Sequence, residues 1–215
     1  MLVQNWMTRN PTTIEADTPF LEARLILKEK KIRHLPVLDR GRLIGVVSDR
    51  DLKEAAPSGA TTLDVYELNY LLAKMKVRDL IKRDPITIKP TNSVEKAAQV
   101  MHDHKIGCLP VVDDAGALVG LITETELLEV MVEILGYKEK GTRIAFEVPD
   151  SPEACQELVH VLRDFRLDFR SIVSSALHTR PGYRDFVIRV KGEQADALVK
   201  ELKVKYGEGV SVLVA

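Results

Sequence analysis

The chain has 215 residues, 45% apolar and 29% charged, with a net charge of −1. This is ordinary globular material with enough apolar surface for one large domain or two smaller ones, and it lacks the basic surplus of a nucleic-acid binder. The two cysteines, Cys108 and Cys155, form neither a disulfide framework nor a metal set and fit a reduced compartment.

The N-terminus, MLVQNWMTRNPTT, has no basic segment followed by an apolar core, so it does not read as a signal peptide. A short apolar strand follows Pro11. Thr18-Pro19 then predicts a helix start, with Thr18 as N-cap and proline in the first turn. Phe20, Ala23, Ile26 and Leu27 fall at helical spacing. Two β-branched runs, HLPVLD and RLIGVV, follow, joined by an Asp/Gly turn, and a second helix begins at Ser48. Residues 60–76 read as a linking helix.

The same order then recurs. A strand follows Pro85. Asn92 with Glu95 predicts a capping-box-like helix start, and Val94, Ala97, Ala98 and Met101 supply the apolar stripe. CLPVVD and ALVGLI are the paired runs, and a helix begins at Thr123. The two stretches align at an offset of 74, with Pro11 on Pro85, Ile14 on Ile88 and Pro36 on Pro110. One inserted residue at Ala115-Gly116 shifts the offset to 75, so that Gly45 meets Gly120 and Ser48 meets Thr123. A match sustained over this length is a duplication of a β-α-β-β-α unit. LLEVMVEILG (127–136) is too short and, with Glu129 and Glu133, too charged to span a bilayer. The chain therefore reads as soluble, cytoplasmic and free of membrane.

After a polar hinge (136–142), the elements change. A strand over Arg143–Val148 precedes a helix opened by Ser151-Pro152, with Cys155, Leu158, Val159 and Leu162 on one face. Strands over Phe169–Leu177 and Phe186–Val190, a helix over Ala195–Tyr206 and a strand over Val210–Val214 complete the order β-α-β-β-α-β, a ferredoxin-like arrangement.

The chemistry concentrates at Gly45-Val46-Val47-Ser48-Asp49-Arg50-Asp51. A strand ends there and a helix begins, which presents backbone N–H groups that suit an anion. The Ser48 hydroxyl can meet a phosphate or sugar oxygen, and the Asp51 carboxylate can accept from neighbouring ribose hydroxyls. Ser48-x-x-Asp51 and Thr123-x-x-Glu126 are equally capping boxes, in which both side chains serve their own helix. Arg33-His34, at the start of a strand, can meet a phosphate or stand as a solvated pair. His102, His104 and Cys108 do not form a zinc site, because histidines two apart on a helix point to opposite sides. No nucleophilic triad or Gly-rich phosphate loop is visible. Trp6 and Tyr70 read as core or interface anchors.

IRHLPVLD…LIGVVSDRDL and IGCLPVVD…LVGLITETEL, each preceded by P-x-T-I, resemble CBS domains, and a tandem pair of them resembles a Bateman module. Asp150-x-Pro152 and the element order after it resemble an ACT domain. The resemblance implies CBS repeat 1 over 1–59, a linker helix over 60–76, CBS repeat 2 over 77–135, a hinge over 136–142 and an ACT-like domain over 143–215. The order CBS–CBS–ACT is similar to that of acetoin-utilization proteins of the AcuB type, implying a regulatory role near acetoin or acetyl-CoA metabolism and a metabolic enzyme as possible partner. The implied fold class is α/β with a ferredoxin-like C-terminal domain.

The family pattern G-h-h-[ST]-x-x-D implies that Gly45, Ser48 and Asp51 meet the ribose and phosphate of an adenine nucleotide. AMP, ADP, ATP or another adenosine compound is the implied ligand, with no cofactor required. Gly120, Thr123 and Glu126 match with Glu in place of Asp, and that extra methylene moves the carboxylate. The adenine is expected beside Ile86 and Thr12 in the two clefts, and Arg33 and His34 near the phosphates. A homodimer through both domain types is also implied. In the ACT-type loop, Glu153 replaces the glycine that lets backbone approach an amino acid. Catalysis is not implied. The rival reading is an oligomerising scaffold with empty clefts.

Overall fold

Both copies of the duplicated sequence build the same layer because their apolar residues fall at the same places. The computed structural model describes residues 1–55, 70, 72–81, 84–165, 167–177 and 179–214. The chain divides into two units, Met1–Leu128 and Glu129–Ala215.

In the first copy, Ile14–Glu15 (β2) lies parallel to His34–Asp39 (β3), which pairs antiparallel with Arg42–Ser48 (β4). In the second, Ile88 makes a parallel bridge to Val111 of Cys108–Val112 (β5), which pairs antiparallel with Leu118–Thr123 (β6). Both hairpins carry an irregularity at the equivalent place, Val37/Leu38 and Val111/Val112. Helices Phe20–Lys30 (α1) and Val94–His104 (α3) bury Phe20, Ala23 and Leu27, and Val94, Ala97 and Met101. Both end on a left-handed lysine, Lys31 at φ 53° and Lys105 at φ 54°, whose N–H closes the last turn. Asp49–Ala55 (α2) and Glu124–Ile134 (α4) follow the hairpins.

The two helix starts differ from expectation. Thr18 does not cap α1: Pro19 occupies the cap position without a side-chain bond, and the Phe20 N–H goes to the Met75 carbonyl at 2.9 Å. A backbone partner from elsewhere does the work of a cap. In α3 the cap is Ser93, which accepts from the Lys96 N–H, while Asn92 closes the preceding turn by accepting from the Lys89 N–H. Ala98 is exposed, because the buried stripe runs through positions 94, 97 and 101.

One feature has no signature in the sequence: each copy is completed by the leader of the other. The Val3 N–H donates to the Asn92 carbonyl, and the Val77 N–H donates to the Thr18 carbonyl. Gln4 and Arg78 donate in the same matched way to the carbonyls of Pro90 and Ala16. Val3 and Val77 are both fully buried. The exchange goes further at the N-terminus, where Thr8–Arg9 (β1) adds to β6 of the second copy. The linking helix expected over 60–76 lies largely outside the described residues; Tyr70 and residues 72–74 are helical.

In the second unit, Thr142–Pro149 (β7), Asp168–Ser175 (β8), Tyr183–Lys191 (β9) and Ser211–Val214 (β10) form an antiparallel sheet in the order β10-β7-β9-β8. Pro152–Asp164 (α5) and Ala195–Tyr206 (α6) supply Leu158, Leu162, Leu198 and Leu202 to a core with Ile144, Phe146, Val148 and Ile188. Ser151 caps α5, accepting from the Ala154 N–H, with Pro152 in the first turn. Val159, expected on the buried face of α5, is 65% exposed; Ala154, Leu158 and Leu162 form that face. The Cys155 side chain lies outside the described positions. Arg189 on β9 is 3% exposed, donates to the Glu139 carbonyl and lies 5.6 Å from the Tyr137 ring.

Candidate functional site

The exchange of leaders is what makes a cleft in the first unit. Leu80 and Ile81, and then Asp84, Pro85 and Ile86, lie beside the first copy on the way into the second. Gly45 permits this passage: a Cβ there would lie 2.8 Å from Cγ2 of Ile81. Gly120 plays the same part in the second copy, where a Cβ would collide with the Met7 sulfur.

The resulting cleft has a volume of about 800 Å³, within the range that accepts a small ligand. One wall is β3, β4 and α2, through Arg33, His34, Val46, Ser48 and Asp51. A second is the leader, through Leu80, Ile81, Asp84, Pro85 and Ile86. The third is the second copy, through Lys105, Ile106, Gly107, Cys108, Pro110 and Glu124. The site therefore combines both copies.

Ser48 and Asp51 form a capping box. The Asp51 Oδ2 atom accepts from the Ser48 N–H at 2.8 Å and from its hydroxyl at 2.5 Å, and the Asp51 N–H donates to Ser48 Oγ at 3.2 Å. The other carboxylate oxygen, Oδ1, accepts no bond from the described residues and remains available to a ligand hydroxyl. The backbone donors expected to face an anion are largely used: Ser48 N–H goes to Asp51, and Asp49 N–H goes to the Arg33 carbonyl at 3.0 Å.

Burial, reinforced by the neighbouring Arg33 charge, holds the His34 imidazole below its usual pKa. Burial, with Asp51, Glu124 and Glu126 nearby, pushes the Cys108 thiol up to about 12. His34 is accordingly a neutral group on the wall, and Cys108 an inert one. Among the described residues, no group of His, Cys, Asp or Glu is placed to hold a metal ion.

Of the residues singled out by sequence, Ser48, Asp51, Arg33, His34 and Ile86 line this cleft. Gly45 lies behind Ile81. Thr12, Thr123 and Glu126 do not line it: they are the counterparts, through the duplication, of Ile86, Ser48 and Asp51, and Thr12 accepts from Lys30 Nζ at 3.2 Å. The Glu126 Oε2 atom accepts from both the N–H and the hydroxyl of Thr123. Its Oε1 accepts from the Thr8 hydroxyl at 3.4 Å, and Arg33 reaches across to the Thr125 hydroxyl at 2.9 Å. Both oxygens of Glu126 are thus engaged within the chain, unlike those of Asp51. Asp84, Lys105, Ile106, Gly107 and Glu124 have no part in the sequence reading of the site, and Cys108 enters it only as a rejected zinc ligand. The offset of 74–75 carried the signal for Glu124, which matches Asp49 one residue after the hydroxyl.

The model of the CBS domain matches residues 3–58 and 77–133. A CBS domain-containing protein of Dictyostelium discoideum is 34% identical over 136 residues, 63% of this chain and 94% of its own length. An uncharacterized protein of Methanocaldococcus jannaschii is 28% identical over 196 residues, of whose length the chain spans only 43%. Among solved structures, an AcuB acetoin utilization protein of Vibrio cholerae is 29% identical with a TM-score of 0.53, covering 64% of this chain and 95% of that one. CBSX2 of Arabidopsis thaliana, solved with AMP, is 32% identical with a TM-score of 0.51, covering 62% and 97%. The CBS pair of protein MJ0100, solved with 5′-methylthioadenosine and S-adenosyl-L-methionine, is 26% identical with a TM-score of 0.52, covering 65% and 98%.

Proposed function

The chain belongs to the CBS-domain family, and from that membership we propose that it is a non-catalytic regulator whose first unit senses an adenosine compound. The observation that carries the reading is the convergence of Ser48, Asp51 and Ile86 on one cleft built from both copies. In this reading the adenine lies against Ile86, the ribose hydroxyls donate to the open oxygen of Asp51, and Arg33 and His34 stand toward the 5′ substituent. The relatives solved with AMP and with S-adenosyl-L-methionine support the ligand class. One ligand per chain is expected, since Glu126 at the related position is engaged by Thr123 and Thr8. A ligand that touches both copies favours one placement of them over another, and that difference in affinity is what drives a switch.

The second unit's element order and its β10-β7-β9-β8 sheet support a ferredoxin-like, ACT-type reading. Its role would be pairing between chains or a second sensor. Glu153, in place of glycine, and the bond from Arg184 to Asp150 at 2.8 Å make the pairing role the better supported. The likeness to the Vibrio cholerae protein supports a place in acetoin utilization; a cytoplasmic homodimer with a metabolic enzyme as its target completes the proposal.

The capping geometry favours one rival, a scaffold with an unliganded cleft, because Ser48 and Asp51 already satisfy each other. Isothermal calorimetry with AMP, ATP and S-adenosylmethionine separates the two. Binding near one per chain that disappears in Asp51→Ala, with helix content retained, is the expected result. No heat with any compound would leave only the scaffold.

A further inference from the structure

Resting on the adenosine reading above, we infer that the cleft selects its ligand by charge. It takes an adenosine compound with an uncharged or cationic 5′ substituent, an adenosyl thioether or sulfonium, in preference to a nucleoside triphosphate.

Three observations carry this. First, the balance of charge on the walls is unfavourable to polyanions. Among the described lining residues, four carboxylates (Asp49, Asp51, Asp84, Glu124) face three cations (Arg33, Arg50, Lys105), one net negative charge when His34 is neutral, and only Asp49 of the four carboxylates has a cationic partner, Lys53 at 2.5 Å. A triphosphate brings several more negative charges into a concave site of that sign, where the field is focused. Second, the cations are partly committed. Arg50 pairs with Glu54 at 3.6 Å, and Arg33 donates to Thr125, which does not line the cleft. By contrast, among the described residues the carboxylates of Asp84 and Glu124 have no hydrogen-bond or ion-pair partner. Third, the backbone donors that would hold a phosphate at the start of α2 are spent on Asp51 and on the Arg33 carbonyl. A sulfonium or an α-ammonium group finds unpaired carboxylates here, and an amino-acid carboxylate finds Lys105. Among the described residues, the phosphates of a triphosphate find one uncommitted lysine, Lys105.

The test is calorimetry on the full chain at low ionic strength, without divalent cations, using 5′-methylthioadenosine, S-adenosylmethionine, AMP and ATP. The expected order places the thioether and sulfonium compounds at least about tenfold tighter than ATP. ATP binding as tightly as S-adenosylmethionine would overturn the selection while leaving the adenosine reading intact. Silence from all four would overturn both. Asp84→Lys and Glu124→Lys, checked for unchanged circular dichroism, are expected to raise ATP affinity and lower S-adenosylmethionine affinity by about tenfold each. Affinity for neutral methylthioadenosine should move least. The isosteric Asp84→Asn and Glu124→Gln should shift the same ratio in the same direction by a smaller factor. A ratio that none of these variants moves would refute charge as the cause.

Discussion

Replacing Gly45 with alanine puts a methyl group where the leader of the second copy crosses β4. The new Cβ would sit 2.8, 3.0 and 3.1 Å from Cγ2, Cδ1 and Cγ1 of Ile81. Ordinary contact begins at about 3.5 Å, so Ile81 must withdraw by roughly 0.7 Å. A swing of its side chain alone does not relieve this, because Cγ2 of a β-branched residue follows the backbone and its χ1 is stiff. The leader itself has to shift, at about 1–3 kcal/mol for an overpacked site. The loss of glycine's freedom in the unfolded chain returns about 0.4–1 kcal/mol of that. A net loss of about 1–2 kcal/mol is expected in urea unfolding, together with weaker adenosine binding, since Ile81 and Asp84–Ile86 line the cleft. Gly120→Ala is the internal comparison. Its obstruction is Met7, an unbranched thioether that can re-route, so its cost should stay under about 1 kcal/mol. If Gly45→Ala unfolds at the same urea concentration as the parent, or if Gly120→Ala costs as much, the account of the crossing is wrong.

The Cys108 thiol, held near 12 by burial, should resist iodoacetamide at pH 8 in the folded protein and react on unfolding; mass spectrometry of its peptide reads this, and alkylation at a free-thiol rate would contradict it. His34, whose folded pKa lies below its unfolded value near 6.5, contributes stability that is fully present above the unfolded value and is lost as the pH falls through the folded one. His34→Gln should flatten that part of the stability curve, and an NMR titration placing the His34 midpoint above 6.5 would reverse the sign. Arg189, buried with its Nε lacking a hydrogen-bond partner among the described residues and one long bond to the Glu139 carbonyl, should tolerate methionine with little or no loss of stability, because desolvating a guanidinium that is only partly satisfied is costly. Arg189→Ala leaves a void and should lose about 2–4 kcal/mol in the same denaturation assay.

Local pattern was enough for most of the elements. Apolar spacing at Phe20, Ala23 and Leu27, alternation through HLPVLD and RLIGVV, and Ser151-Pro152 ahead of an amphipathic run each act within a few residues, and that is the range over which periodicity speaks. The duplication was legible for the same reason, as was the pairing of Ser48 with Asp51. Where the pattern misled, a distant backbone partner intervened: α1 begins without its expected threonine cap because Met75 supplies a carbonyl acceptor for Phe20 from 55 positions away. Only the folded chain decided that each copy is finished by the other's leader, since two units of the same fold offer similar docking surfaces and nothing local says which leader docks on which. That exchange carries Asp84 and Ile86 to Ser48 and sets Glu124 across from them. It also lets Thr8 reach Glu126 while Asp51 keeps an oxygen open, so two similar motifs come to stand in unlike surroundings.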